Sequence, residues 1–206
     1  MNAPDSSDES PAFRAELEAE RDRCIRLTRM GIGMPVAGFV YWLVFAWLVS
    51  RFRIDSAVYM AFLATGAVFP LGAGLTRLFG GDLFARSRSL TPLGLQLAAI
   101  QLFYWPVIIL LAKITPAWTP YVMAVLFGSH FLPYGWLYRS RGYMLLAILT
   151  AVTTTVTVLV ARGPVPHLVP LIAAGCYLVS ILVIRSEVAG VMRSAPATTA
   201  TVPAAG

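Results

Sequence analysis

The sequence is poor in charged residues, and this scarcity indicates the class of protein. Only 13% of its 206 residues are Asp, Glu, Lys or Arg, whereas 58% are hydrophobic and the mean hydropathy is +0.72. A soluble domain of this length needs more charge to cover its surface. The composition therefore predicts one compact domain that is embedded in a membrane.

Lysine, cysteine and histidine are also scarce. Lys113 is the only lysine, and a basic set made otherwise of arginine, with abundant alanine, is typical of a GC-rich bacterial genome. Cys24 and Cys176 lie in a tail and inside an apolar stretch, and no Cys/His spacing of a metal site occurs. His130 and His167 fall at different depths, which excludes ligation of haem by both. We predict no metal site and no cofactor.

The net charge of +6 does not indicate a nucleic-acid partner. The basic residues lie at the ends of apolar stretches, where lipid headgroups would meet them, and they form no continuous stripe. The lipid bilayer is the predicted partner.

Six apolar stretches are long enough to cross the hydrocarbon layer, which takes about 20 residues of helix. Because lipid offers no partner to backbone polar groups, each span is predicted to be helical. The predicted fold is an all-α integral membrane bundle of six transmembrane helices, at 31–50, 56–79, 92–115, 117–138, 142–161 and 166–185.

The basic residues predict an orientation. Twelve of the sixteen fall on one side of the predicted spans, and the other side has Arg51, Arg53, Lys113 and Arg162. Since short cytoplasmic loops carry the excess of Lys and Arg, both termini are predicted to be cytoplasmic, in a bacterial inner membrane.

The predicted domain organisation has three parts. Residues 1–29 form a cytoplasmic tail with a charged amphipathic helix that begins near Pro11, 30–188 form the transmembrane domain, and 189–206 form a disordered cytoplasmic tail. We favour a solvated leader helix; a helix that lies on the membrane surface and a helix that docks on the bundle are the alternatives.

Prolines and small residues inside the spans predict local geometry. Pro70, Pro106 and Pro133 each remove one helix hydrogen bond and are expected to kink their helices. Ala124 and Gly128 form a small-xxx-small pair suited to close helix packing.

A layer of polar residues is predicted within the spans. No acidic or basic residue lies near the centre of a span, which argues against a proton-coupled pump. Counting 1.5 Å per residue inward from the cytoplasmic ends places Gln101, His130, Thr150 and Tyr177 at one depth. Hydrogen bonding between helices is the favoured interpretation of this layer, and a ligand pocket is the alternative.

Aromatic residues form a second candidate cluster nearer the midplane. Tyr41 and Trp42 on the first span and Tyr104 and Trp105 on the third lie at similar depth. Such side chains line a cavity in some proteins and fill the core in others.

We predict no catalytic residue. Ser129 precedes His130 directly, about 100° around the helix, so the dyad of rhomboid-type intramembrane proteases is absent. No P-loop, HExxH or dinucleotide-binding motif occurs. Asp82 is a single acid on a cytoplasmic face, too few for the paired acidic metal sites of lipid-headgroup enzymes.

Three short motifs resemble a family of small bacterial multi-span membrane proteins classed as a domain of unknown function. They are FPLG at 69–72, TPLG at 91–94 and HFLPYGWLY at 130–138. The resemblance covers roughly residues 13–188 and implies a six-helix domain in the bacterial inner membrane. It implies no activity and no substrate.

The favoured function is that of a small transporter or solute-binding membrane domain, with a small-molecule ligand. The alternative is a membrane scaffold or accessory subunit with a protein partner and no catalysis. An enzyme that acts on lipid headgroups is less favoured.

Overall fold

The computed structural model describes residues 11–85 and 90–193, and this part of the chain is helical without any strand. Three short 3-10 segments join or interrupt the helices at Arg29–Gly31, Ile100–Tyr104 and Pro116–Trp118. The α-helices are α1 (Pro11–Thr28), α2 (Gly33–Arg51), α3 (Ile54–Leu78), α4 (Leu90–Ala99), α5 (Trp105–Ile114), α6 (Thr119–Ser129), α7 (Leu132–Leu137), α8 (Arg141–Val160) and α9 (Val169–Arg193).

Five helical segments are long and apolar enough to cross a membrane, which confirms an all-helical protein with the features of a membrane protein. They are Pro11–Arg51, Ile54–Leu78, Leu90–Ile114, Arg141–Val160 and Val169–Arg193. The last helix ends at Arg193, so residues 189–193 of the predicted disordered tail are helical, and 194–206 lie outside the described residues.

The fourth predicted span, 117–138, is not among these five segments, because it is divided into two helices of 11 and 6 residues. Pro133 explains the division, because it has no N–H to continue the hydrogen bonding of α6. The Phe131 N–H instead donates to the Gly128 carbonyl, at 3.1 Å, in a tighter turn. Pro106 likewise follows a 3-10 segment, whereas the helix around Pro70 is continuous.

The main helices form a ring. α2 packs against α3 and α9, α8 packs against α9, α6 and α7, and α5 contacts both α3 and α6 to close the ring. Glycines allow the closest approaches: a Cβ on Gly128 would lie 2.8 Å from the Cβ of Thr150, and one on Gly38 would lie 2.3 Å from the ring of Tyr177. Of the predicted small-residue pair, Gly128 lies at the contact between α6 and α8, and Ala124 is fully buried.

The first helix docks on the bundle, so the expectation of a solvated leader helix was wrong for its C-terminal half. Cys24, Ile25 and Thr28 are buried. The cause lies in residues distant in sequence: Asp22 pairs with Arg139 at 2.8 Å, and the Leu27 carbonyl accepts a hydrogen bond from the backbone of Asp82. α1 therefore covers the end of the bundle where α3 ends and α8 begins.

A left-handed turn joins α1 to α2. Arg29, Met30 and Gly31 have φ values of 51°, 56° and 62°, a conformation that residues other than glycine rarely adopt. The Tyr143 hydroxyl donates to the Met30 carbonyl at 2.7 Å, and the Gly31 carbonyl oxygen lies 3.2 Å from the same hydroxyl. This buried contact from α8 holds the turn in place.

Candidate functional site

A cavity of about 410 Å³, here called the main cavity, lies between α1, α2, α3, α4, α7 and α8. None of the described residues that line it is Asp, Glu, Lys or Arg. Its walls are largely apolar, with a few hydroxyl, amide and imidazole groups. A volume of this size is typical of a small-molecule site.

The α4 wall is the weakest part of this enclosure. In α4 only Leu90 and Thr91 are buried, and the 3-10 segment Ile100–Tyr104 has no buried residue. Gly66 of α3 and Leu102 of this segment line the cavity while being exposed, Leu102 by 56%. The cavity thus reaches the side of the bundle between α3 and the 3-10 segment.

A second, small cavity of about 20 Å³ adjoins the first. Residues that line both cavities form what we call the junction: Met34, Val68, Gln101, His130 and Phe131. Tyr41, Trp42 and Tyr177 line the small cavity only. Two of the four residues of the predicted polar layer, Gln101 and His130, therefore meet at the junction, and Tyr177 lies beside them.

Thr150, the fourth residue of that layer, lies elsewhere. It is fully buried between α6 and α8, against Gly128, and lines neither cavity. Its hydroxyl has no hydrogen-bond partner among the described residues. Counting residues placed Thr150 at the same depth as the others, but the face of α8 on which it lies packs against α6.

His130 offers a hydrogen-bond acceptor to the cavities. It follows the last residue of α6, and its Nδ1 lies 2.7 Å from the Phe127 carbonyl oxygen. Because that oxygen can only accept, Nδ1 carries the proton and Nε2 has a free lone pair. No described residue donates to Nε2.

Gln101 belongs to the 3-10 segment before Trp105 and Pro106. Pro106 cannot donate to the carbonyl four residues earlier, which favours the tighter winding there. The side-chain amide of Gln101 lines both cavities and makes no hydrogen bond with a described residue. It supplies both a donor and an acceptor at the junction.

The predicted aromatic cluster divides between core and cavity. Tyr41 and Trp42 pack edge to face at 5.3 Å and belong to the buried core. Trp105 lines the main cavity and contacts Phe62 at 5.3 Å, whereas Tyr104 packs against the core and lines neither cavity.

Sequence reasoning missed a cluster of tyrosines that forms the wall of the main cavity nearest α1. Ring centroids are 5.9 Å apart for Tyr134 and Tyr138 and 5.6 Å apart for Tyr138 and Tyr143. The signal was readable, because His130, Tyr134 and Tyr138 recur every four residues and share one helix face. Two of these hydroxyls already donate hydrogen bonds within the protein: that of Tyr134 to the Gly94 carbonyl and that of Tyr143 to the Met30 carbonyl.

Helix α1 closes the end of the main cavity. Cys24 and Thr28 line it. Arg21 holds the helix through a hydrogen bond to the Trp136 carbonyl and a cation–π contact, 4.6 Å from its guanidinium carbon to the centre of the Trp136 ring. The charged half of α1 thus lies outside the cavity, and its buried half forms part of the wall.

The residues considered for metal binding or for lipid-headgroup chemistry do not form an assembled site in the described part of the chain. In residues 11–85 and 90–193 no group of three or more His, Cys, Asp or Glu side chains is placed to hold a metal ion. Asp82 forms an exposed pair with Arg77, at 3.8 Å. Arg86 and Arg88, which the sequence places on the same predicted face as Asp82, lie outside the described residues.

Comparison with known proteins gives one result. A model of a family of unknown function, DUF7010, matches residues 17–187. No curated protein and no solved structure matches the chain. The match confirms the resemblance to an uncharacterised family and includes most of α1 as well as most of the bundle, so the chain belongs to this family of unknown function.

Proposed function

We propose that this protein is a multi-span membrane protein that binds a neutral, mainly apolar small molecule in the main cavity. The observation that carries the proposal is the cavity itself, about 410 Å³, with two polar groups that lack a partner among the described residues, the Gln101 amide and Nε2 of His130, at its junction with the small cavity. Pockets of this kind bind ligands through apolar walls and orient them through a few polar groups.

The lining supports a neutral ligand. A buried ionic group needs an opposite charge or many hydrogen bonds to offset its loss of hydration. The described lining offers no Asp, Glu, Lys or Arg. Inorganic ions, amino acids and phosphorylated molecules are therefore poor candidates.

The position of the cavity supports access from the bilayer. Its rim lies at the side of the bundle, beside the exposed Gly66 and Leu102. In a membrane this side faces lipid, where apolar molecules concentrate. We propose binding rather than transport, because the described cavity closes beneath α1.

The proposal includes six spans. Residues 119–137 extend about 28 Å, close to the thickness of the hydrocarbon layer, so α6 and α7 together complete one crossing. With six crossings both termini lie on one side, and the distribution of arginine assigns that side to the cytoplasm of a bacterial inner membrane. A fluorescent protein fused after Arg193 should then be fluorescent, and alkaline phosphatase fused after Gly163 should be active; the reverse pattern would refute this orientation.

Binding can be tested with 4-hexylanisole, a neutral apolar probe, by calorimetry on the full-length protein in lipid nanodiscs. Empty nanodiscs of the same lipid correct for partitioning. We expect saturable binding to the protein, and a rise in its unfolding temperature. Heat no greater than that of empty nanodiscs, for this probe and for 4-hexylphenol, would refute the proposal.

A matched pair of variants locates the probe. Ala98 lines the main cavity, and Leu93 of the same helix does not. Ala98→Phe should fill part of the cavity and weaken binding about tenfold or more, since overfilling a packed site costs about 1–3 kcal/mol. Leu93→Phe introduces the same ring on the outer face and should bind like the wild type; equal loss in both variants would place the probe elsewhere.

A further inference from the structure

We infer that the ligand is an alcohol or phenol, whose hydroxyl group binds at the junction between the main and small cavities. This inference rests on the proposed function and specifies the class of ligand. It is carried by three polar groups, on three different segments of the chain, that all line the small cavity and have no hydrogen-bond partner among the described residues: Nε2 of His130, the amide of Gln101 and the hydroxyl of Tyr41.

The first group is an acceptor. Because Nδ1 of His130 donates to the Phe127 carbonyl, Nε2 can only accept. The Tyr177 hydroxyl points to the same carbonyl at 3.5 Å. A ligand that satisfies Nε2 must bring a hydrogen-bond donor.

The second group is a hydroxyl, which can donate a hydrogen bond as well as accept one. The Tyr41 side chain is only 6% exposed and lines the small cavity, and its hydroxyl has no hydrogen-bond partner among the described residues. A buried hydroxyl left unpaired costs free energy, so an acceptor placed beside it is favoured. Gln101, which lines both cavities, supplies a further donor and acceptor.

A hydroxyl is the smallest neutral group that meets these demands together, since it donates one hydrogen bond and accepts others. A ketone or an ether only accepts and would leave Nε2 of His130 unpaired. A carboxylate or an ammonium group would bring a charge that nothing in the described lining balances. The apolar body of the ligand then lies in the main cavity, against its cluster of tyrosines.

Water is the competing occupant. The small cavity, at about 20 Å³, has room for one water molecule. A water that satisfied all three groups would remove the preference for a hydroxyl, and the experiment is designed to reveal this.

The experiment compares 4-hexylphenol with 4-hexylanisole, which differ only in the methyl group that blocks the hydroxyl donor. Binding is measured by calorimetry on the full-length protein in nanodiscs, with empty nanodiscs as the reference. We expect the phenol to bind at least about tenfold more tightly, because the ether leaves a buried acceptor unpaired. Equal, saturable binding of both would overturn the inference and leave the proposed function standing, whereas absence of binding by both would overturn the two together.

Variants assign the preference to the junction. Tyr41→Phe removes only the unpaired hydroxyl, and His130→Asn keeps a donor near the Phe127 carbonyl while removing the Nε2 acceptor. Both should lower the ratio of phenol to anisole affinity severalfold. Tyr59→Phe is the matched control, because Tyr59 is 64% exposed and lines neither cavity, and it should keep the ratio.

Tyr41→Phe keeps the test decisive if His130→Asn does not fold, since loss of an unpaired buried hydroxyl should not destabilise the protein. If Tyr41→Phe and every other variant that folds keep the wild-type ratio of phenol to anisole affinity, the assignment to this junction is overturned. A ratio lowered at Tyr41 but not at Tyr59 would support it.

Discussion

The hydroxyl of Tyr134 donates a hydrogen bond of 2.7 Å to the carbonyl of Gly94. Tyr134 belongs to the HFLPYGWLY motif and Gly94 to the TPLG motif, so the bond joins two of the segments that resemble the family. It also ties α7 to α4, the loosely packed wall of the main cavity. Both bonded residues, Tyr134 and Gly94, line the main cavity, so the bond holds two of its walls together.

Tyr134→Phe should lower the free energy of unfolding by about 1 kcal/mol, because it removes this hydrogen bond and keeps the ring. The measurement is reversible chemical unfolding in detergent micelles. Tyr59→Phe, an exposed tyrosine, serves as the control and should leave the unfolding free energy within about 0.5 kcal/mol of the wild type. Identical stability of the two variants would show that the bond contributes nothing.

Because α1 docks on the bundle, we predict that the Cys24 thiol is protected from labelling reagents. Cys24 is 1% exposed and lies three residues after Arg21, which contacts both the carbonyl and the ring of Trp136. Arg21→Ala removes these contacts and should loosen α1, so a maleimide should label Cys24 severalfold faster.

The labelling is measured in a Cys176→Ser background, which leaves one thiol. Arg23→Ala is the matched control, since Arg23 is exposed on the same helix and should leave the labelling rate unchanged. An Arg21→Ala rate equal to that of the control would mean that the remaining contacts, such as the pair of Asp22 with Arg139, hold α1 in place.

Sequence reasoning was most successful where a single helix carries the information. Apolar length predicted an all-helical protein, in which five helical segments are long and apolar enough to cross a membrane, and counting residues along the predicted spans selected Gln101 and His130, which both line the cavities. Depth does not say which way a side chain faces, so the same count also selected Thr150, which packs against α6.

Features that depend on two distant segments could not be read in this way. The docking of α1 requires Trp136 and Arg139, more than 100 residues away, and a turn in which Arg29 and Met30 adopt positive φ. This docking is set by tertiary contacts rather than by a local pattern.

Arg162 predicts a stabilising substitution. It follows α8 with φ of 54°, and its N–H donates to the Leu159 carbonyl while that of Gly163 donates to the Val158 carbonyl, the pattern of a Schellman motif. Glycine is favoured at this left-handed position, so Arg162→Gly should raise the unfolding free energy by about 0.5–1 kcal/mol.

Chemical unfolding of Arg162→Gly beside Gly163→Ala tests this account. Gly163 follows the left-handed residue and has open space around it, so its substitution should change stability by less than about 0.5 kcal/mol. Destabilisation by Arg162→Gly would indicate that the arginine side chain contributes more than its backbone strain costs.

Thr150→Val separates a structural role from a role in binding. The Thr150 hydroxyl is buried without a hydrogen-bond partner among the described residues, and its methyl group packs against Gly128. Valine keeps the shape and removes the unpaired hydroxyl, so the free energy of unfolding should stay equal or rise by about 1 kcal/mol. Binding of 4-hexylphenol should not change, because Thr150 lines neither cavity. Weaker binding of the phenol by a Thr150→Val protein of unchanged stability would instead show that α8 turns this hydroxyl toward the ligand, and that the polar layer includes all four of the residues that depth selects.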